Sequence, residues 1–129
     1  MNIDDYIKQE VKKPFIWGET DCCWTANRWI EIQTGKAPLN DSSPFFYSDK
    51  ETAERLMADV GLVNLVKIIL KYHKKTKKPE NGDIGLILVQ ANKVAVALKI
   101  SEGWFTRDEG GFIITPNYVH LFKGWKCRD

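Results

Sequence analysis

The chain has 129 residues, which is the size of one domain, because domains cluster around roughly 100 to 150 residues. Hydrophobic residues make up 43% and charged residues 28% of it. This composition excludes disordered and fibrous proteins and predicts a buried core. Lys and Arg outnumber Asp and Glu by only 19 to 17, so the charge does not indicate a nucleic-acid partner. No apolar run approaches the roughly 18 residues of a membrane span, and the polar start of the chain indicates no secretory segment.

Cysteine usage indicates free thiols. The chain has three cysteines, and two of them, Cys22 and Cys23, are neighbours. Adjacent cysteines are poorly placed to bond each other, and three cannot form a regular disulfide framework. We therefore expect a protein made in a reducing cytoplasm. Since no Cys-x-x-Cys or Cys/His spacing occurs, the sequence predicts neither a metal site nor a cofactor.

The first third of the chain predicts two helices. The apolar residues that recur every three or four positions and indicate the first helix are Ile3, Tyr6, Ile7 and Val11. Pro14 must end this helix, because proline lacks the amide hydrogen that a helix interior needs. A second helix of about four turns is predicted with Thr20 as its N-cap, Asp21 in its first turn and Gly35 at its end.

A loop and two further helices follow. Residues 35–47 are rich in turn formers, and we expect the aromatic residues 45–47 to anchor this loop to the core. Residues 48–51 have the capping-box pattern of a third helix that ends at Gly61. From 62 to 72 a short helix capped by Asn64 competes with a strand, and we favour the helix.

The second half predicts strands. A turn at residues 79–83 precedes the first of them, and Ala91-Asn92 indicates a tight reversal into the second. The predicted strands cover residues 84–89, 94–100, 104–106, 112–115 and 121–126. Hairpin spacing predicts a mainly antiparallel sheet, and helices concentrated upstream make the class α+β, as one domain over residues 1–129.

Cys22 is the residue on which a chemical interpretation depends. A cysteine in the first turn of a helix lies among unpaired backbone N–H groups at the positive end of the helix dipole, which favours its thiolate. This is how a cysteine nucleophile is activated. The alternative is a core cysteine, since Cys22 also lies on the apolar stripe with Ala26 and Trp29.

The order of short motifs resembles a reduced papain-like domain of the NlpC-type cell-wall endopeptidase superfamily, most closely the small versions encoded among phage and prophage tail genes. The motifs are Trp17-Gly18-x-x-Asp21-Cys22-Cys23, Asn81-Gly82-Asp83, Val94-Ala95-Val96 and Gly124-Trp125-Lys126. The resemblance implies that Cys22, with Asp21 beside it, stands at the nucleophile position. It implies a papain-like fold over roughly residues 15 to 125.

The chain departs from this pattern at the general base. The superfamily has a histidine just before the small apolar triplet, and here Lys93 stands there. Thr106 is a possible match for the third, polar residue. Catalysis by such a site needs a base within hydrogen-bond reach of the thiol, and a charged lysine is a poor acceptor. Of the two histidines, His73 lies in a run of lysines and indicates a solvated face, whereas His120 is a candidate partner without a motif or simply a surface histidine.

Six lysines between Lys67 and Lys78 leave 13 basic against 17 acidic residues in the rest of the chain. Their spacing predicts one positive face, which is either a solvated surface or a docking surface for an acidic partner or an anionic wall polymer. We expect this face, with the loop from Ala37 to Tyr47, to meet a larger tail protein.

Three functions follow from these observations. The favoured hypothesis is a tail-tip component of a phage virion, made in the host cytoplasm, whose papain-like domain has lost catalysis and serves a structural or wall-engaging role. Its partners would be other tail proteins and, in a wall-engaging role, peptidoglycan. The second hypothesis is an active cysteine peptidase or amidase that cleaves peptidoglycan peptides with Cys22 as nucleophile. The third is a host-cytoplasmic binding protein unconnected with virions.

Overall fold

The computed structural model describes residues 1–43, 45–90, 93–116 and 120–128. Within these ranges four helices precede five strands, which confirms the predicted α+β class. The helices are α1 (Ile3–Glu10), α2 (Cys22–Thr34), α3 (Lys50–Asp59) and α4 (Leu62–Ile69). The strands are β1 (Ile84–Gln90), β2 (Lys93–Ile100), β3 (Gly103–Asp108), β4 (Gly111–Thr115) and β5 (Leu121–Trp125). No helix in the described ranges has the length and apolarity that crossing a membrane requires.

The start of α2 differs from the prediction by one residue. Asp21, not Thr20, is the N-cap, and its side chain accepts a hydrogen bond from the backbone of Trp24. The hydroxyl of Thr20 is engaged in the preceding turn, where it donates to the Pro14 carbonyl at 2.6 Å and accepts from the Ile16 amide at 2.7 Å. The predicted end of the helix is confirmed, because Gly35 closes α2 in the left-handed conformation.

The third helix is confirmed, but its capping box is shifted. Asp49 is the N-cap and Thr52 the reciprocal partner, whereas the prediction placed the box on residues 48–51. The Thr52 hydroxyl accepts a hydrogen bond from the Asp49 amide at 3.2 Å. In the predicted box, Glu51 has this role. The helix ends with Val60 as its C-cap, directly before Gly61.

The segment from Leu62 is a helix, as favoured over a strand. The predicted cap at Asn64 is wrong, because Gly61 occupies the N-cap position and Asn64 lies within the first turn. The Asn64 side chain instead donates to the carbonyl of Val60, the C-cap of α3, at 3.1 Å. Leu65 and Val66 are the buried residues of α4.

The five strands form one antiparallel sheet in the order β4-β3-β2-β1-β5. All five predicted strands are confirmed, although the last ends at Trp125, one residue earlier than predicted. In the register, Leu86 lies opposite Val96 and Leu98 opposite Phe105. The predicted reversal at Ala91-Asn92 falls outside the described residues.

The core lies between the helices and one face of this sheet. It contains large side chains from both halves of the chain, among them Tyr6, Trp29, Leu86, Phe105 and Trp125. The opposite face has a small cluster of its own, built on Ile87, Ala97 and Trp104. Since side chains alternate along a strand, neighbouring residues such as Trp104 and Phe105 lie on opposite faces.

The loop between α2 and α3 is held as predicted, with one exception. Tyr47 is buried and Phe45 packs against the core, which confirms both as anchors. Phe46 remains 40% exposed and lies with its ring edge on Trp24, at 5.5 Å between centroids.

Candidate functional site

Asp21 joins three parts of the chain at the start of α2. One carboxylate oxygen accepts from the Tyr47 hydroxyl at 2.6 Å and from the Trp24 amide at 3.1 Å. The other accepts from the Gly18 amide at 2.8 Å. The carboxylate is only 2% exposed, so it stands in place of the water that these donors would otherwise bind. Burial is the main cause that raises the pKa of Tyr47, and the nearby Cys23 and Asp21 raise it further. The Tyr47 hydroxyl therefore stays protonated and donates to Asp21.

Cys22 is the first residue of α2 and Cys23 the second. The Cys22 side chain is half-buried, whereas Cys23 is buried. A hydrogen bond from the Cys23 thiol lowers the pKa of Cys22; burial and the Asp21 carboxylate oppose this effect, and backbone groups of Val96 and Cys23 reinforce it. The same thiol–thiol bond, together with burial, raises the pKa of Cys23 well above its ordinary value. The thiolate therefore belongs on Cys22.

A cavity of about 360 Å³ opens beside these residues and is called here the Cys22 cavity. Its walls are mainly apolar and come from the segment before α2, from α3, from α4 and from the start of β2. Its lining includes Trp17, Asp21, Cys22, Lys93, Val94 and Arg107. Lys93 is the first residue of β2 and is exposed, so the position implied for the general base does lie at the cavity, with an ammonium in place of an imidazole.

Neither histidine of the chain lines the Cys22 cavity, and the structure describes both. His73 follows α4, and its Nδ1 lies 2.9 Å from the Lys126 carbonyl. His120 precedes β5; its carbonyl accepts from the Leu88 amide at 3.0 Å, and its ring stands edge-on to Phe122 at 4.8 Å. His120 was a candidate partner of the thiol, and the structure does not bring the two together.

Thr106 is also separated from Cys22. It follows Phe105, which faces the helices, so Thr106 points to the opposite face of the sheet. Its hydroxyl donates to the Val96 carbonyl at 2.7 Å and it is 3% exposed. Of the residues implied by the resemblance, Asp21, Cys22 and Lys93 meet at the cavity, and Thr106 does not.

These positions belong to a domain defined by sequence comparison. A family model described as a domain of unknown function, DUF6950, matches residues 1–126. The chain belongs to the DUF6950 family. The match begins before α1 and ends just after β5, so the family corresponds to the whole α+β unit. Neither the curated proteins nor the solved structures that were searched contain a match to the chain.

In this DUF6950 domain the Gly82-Asp83 turn has a structural role. The Gly82 carbonyl accepts from the Trp29 indole at 2.7 Å, which ties the turn to the middle of α2. Asp83 is 6% exposed; its carboxylate accepts from the amides of Glu80 and Cys127, at 2.8 and 3.2 Å. Because Trp29 lies seven residues from Cys22, the turn is about 10 Å along the helix from the thiol.

A charged cluster that was not predicted supports this site. Glu10, the last residue of α1, is fully buried and forms ion pairs with Lys13, at 2.6 Å, and with Arg28 of α2. Tyr6 donates to it at 3.3 Å. Burial would raise the pKa of Glu10, but hydrogen bonds from Lys13 and Arg28 outweigh it and lower the pKa.

Arg107 connects this cluster to the Cys22 cavity. It stands on β3, is 4% exposed and lines the cavity. Its guanidinium donates to the Glu10 carbonyl at 2.8 Å and to the Lys13 carbonyl. A cation at the carbonyl end of a helix is stabilising, because it complements the helix dipole. Arg107 thus fixes α1 to the sheet beside the cavity. In the sequence, the only pattern that indicates the cluster is the i to i+4 spacing of Tyr6 and Glu10.

Proposed function

We propose that this chain is a tail-tip component of a phage virion, with an NlpC-type papain-like domain that has lost peptidase activity. The observation that carries the proposal is the composition of the Cys22 cavity: Cys22 is at the start of a helix and Lys93 opens β2, yet neither histidine reaches the cavity. A thiol nucleophile needs a proton acceptor within hydrogen-bond reach, and an ammonium is a donor only. The retained fold then serves contacts with other tail proteins or with peptidoglycan.

Purified protein incubated with peptidoglycan tests the loss of activity. We expect no cleavage of stem peptides, measured by mass spectrometry of released fragments, from the wild type or from Cys22→Ala. Lys93→His supplies an imidazole at the cavity, and a gain of cleavage that Cys22→Ala abolishes would support a site lacking only its base. Cleavage by the wild type that disappears in Cys22→Ala would contradict the proposal.

A second candidate is an active cysteine peptidase or amidase that uses Cys22 on wall peptides. The lowered pKa of Cys22 favours it, because a low pKa supplies thiolate without a separate base. The peptidoglycan experiment separates the two candidates directly.

The location in a virion has its own test, which does not depend on catalysis. A tail component must be present in purified particles in a fixed number of copies per particle, and quantitative mass spectrometry measures this ratio. A protein found only in the host cytoplasm and absent from particles would instead fit a host binding protein unconnected with virions.

A further inference from the structure

A second concave surface lies away from the Cys22 cavity, between the loop that follows α2 and the end of α4. It is a groove of about 620 Å³. Its apolar lining comes from both sides: Ala37, Pro38 and Phe45 from the loop, and Ile68 and Ile69 from α4. The sequence predicted that this loop and the lysine run share a surface, and the structure brings Lys71 to the same groove.

The loop wall of the groove is fixed by α2. Asn27 is 5% exposed, and its amide accepts from the Leu39 backbone nitrogen at 2.7 Å and donates to the Leu39 carbonyl at 2.9 Å. The side chain of Asn40 donates to the Ala37 carbonyl at 3.0 Å. The groove therefore exists before any partner binds, which lowers the entropic cost of binding.

Apolar side chains at the groove remain open to water. Ile68 is 39% exposed and Tyr72 is 86% exposed, although the opposite side of α4 is buried through Leu65 and Val66. A contiguous apolar lining with polar edges is typical of an interaction site.

The charged edge of the groove has one sign. Lys36 and Lys71 are its lysines, and none of the described lining residues carries a carboxylate. The Lys71 ammonium lies over the Tyr72 ring, 4.9 Å from its centroid. Lys67 and Lys74, which precede and follow Lys71 in the chain, are exposed.

From these features we propose that the groove binds an acidic segment of a partner protein, with an apolar side chain of that segment seated between Phe45 and Ile68. The lysines attract and orient the acidic residues, since complementary charge mainly sets encounter rate and register. The apolar lining supplies the remaining affinity. A phosphate or carbohydrate polyanion would pair with the lysines but leave the apolar lining exposed to water. For that reason a peptide fits the groove better.

Selection from a random dodecamer display library on the immobilised full chain tests the proposal. We expect enriched peptides to combine Asp or Glu with Leu, Ile or Phe. The most enriched peptide, made with a fluorescent label, should bind at least fivefold more weakly to Lys36→Gln/Lys71→Gln and to Ile68→Ser by anisotropy. The matched control Lys8→Gln/Lys12→Gln removes the same charge from exposed positions of the α1 region and should bind as the wild type does.

Several results would overturn the proposal. These are an enrichment without acidic residues, no enrichment at all, or equal weakening by the control variant. Binding of inorganic polyphosphate that depends on both lysines but not on Ile68 would assign the surface to a polyanion. Self-association in sedimentation that Ile68→Ser abolishes would assign it to a second copy of the chain. Circular dichroism of each variant verifies that the surface changes leave the fold intact.

Discussion

The carboxylate of Asp21 satisfies a helix amide, a loop amide and a tyrosine hydroxyl at once. We expect Asp21→Ala to lower the free energy of unfolding by about 2 to 4 kcal/mol, because it removes an N-cap and leaves buried donors without acceptors. Tyr47→Phe removes one of these bonds and should cost about 1 to 2 kcal/mol. Urea unfolding at neutral pH measures both, and an Asp21→Ala loss no larger than that of Tyr47→Phe would show that the other two bonds contribute little.

The thiol pair at the start of α2 predicts selective alkylation. Because the pKa of Cys22 is lowered chiefly by the Cys23 thiol, the rate of Cys22 alkylation by iodoacetamide should have its midpoint below the ordinary thiol value of about 8.5. Cys23→Ala should move this midpoint upward. Cys127 is an internal control, since burial raises its pKa to about 12 and should keep it unmodified. A Cys22 midpoint near 8.5 that Cys23→Ala leaves in place would contradict the assignment.

Individual residues could be predicted where the sequence pattern that places them lies within a few positions. The position of Cys22 in the first turn of α2 could be predicted, because capping residues mark the start of a helix within a few positions. The position of Arg107 could not, because its partner Glu10 is 97 positions away and nothing in the sequence between them indicates the contact. Lys93 was placed at the cavity by resemblance alone. The face on which Thr106 lies could not be predicted, because a shift of one residue along a strand changes the face of the sheet.

Among the elements, α1 and α2 are joined by a charge that should make their packing sensitive to pH. Glu10 has a pKa lowered from its ordinary 4.5, despite burial, by Lys13 and Arg28. Its folded-state pKa is therefore below its unfolded-state pKa, so its contribution is complete above about pH 4.5 and is lost as pH falls through the folded-state value.

Glu10→Gln should therefore be less stable than the wild type by about 2 to 3 kcal/mol at neutral pH, below the range for fully buried pairs because both cations are partly exposed. The difference in unfolding free energy between Glu10→Gln and the wild type should become smaller toward about pH 3. Urea unfolding across this range measures it. The exposed Glu31→Gln on α2 should show no such gap, and a constant Glu10→Gln deficit at every pH would rule out the charge as its cause.

Two glycines at the ends of loops form a matched pair. Gly18 and Gly35 both have a φ of 81°. A Cβ at Gly35 meets no atom within 4 Å, whereas at Gly18 it would lie 2.4 Å from the Ser48 carbonyl carbon. Gly35→Ala should thus cost only the left-handed penalty of about 1 to 2 kcal/mol, and Gly18→Ala clearly more. Thermal unfolding ranks the two variants, and equal losses would show that the Ser48 backbone yields freely.

Whole elements were easier to predict than their first residues. Every helix and strand was anticipated because apolar periodicity extends over many positions. The caps of α2 and α3 were each displaced by one residue, since neighbouring Ser, Thr and Asp side chains are all competent caps. Tertiary contacts decide among them: Thr20 is taken by Pro14 and Ile16, which leaves Asp21 to cap the helix. The topology of the sheet, with β5 beside β1, had no local signal.

At the scale of the molecule, six of the 19 basic residues lie between Lys67 and Lys78, while the rest of the chain is net acidic. If the chain is a tail component, replacing Lys71, Lys74, Lys75 and Lys78 with Gln should slow its incorporation into particles and weaken the salt dependence of that step. The isolated fold should keep its stability, since exposed charges contribute little to it. In vitro complementation of particles at low salt measures the rate of incorporation. A normal rate for this variant would show that the lysines form only a solvated surface.

The lysine run also protects one border of the sheet. Residues 74–76 lie antiparallel to the end of β5: Lys75 bridges to Trp125 and the Thr76 amide donates to the Gly124 carbonyl at 2.9 Å. At the other border, β4 pairs with β3 and with no other described strand, and its Phe112 and Ile114 are 49% and 50% exposed. Lysine-rich sheet edges resist pairing with a strand of another chain, whereas unpaired apolar edges favour it. Polymerisation of partly unfolded chains should therefore begin along β4.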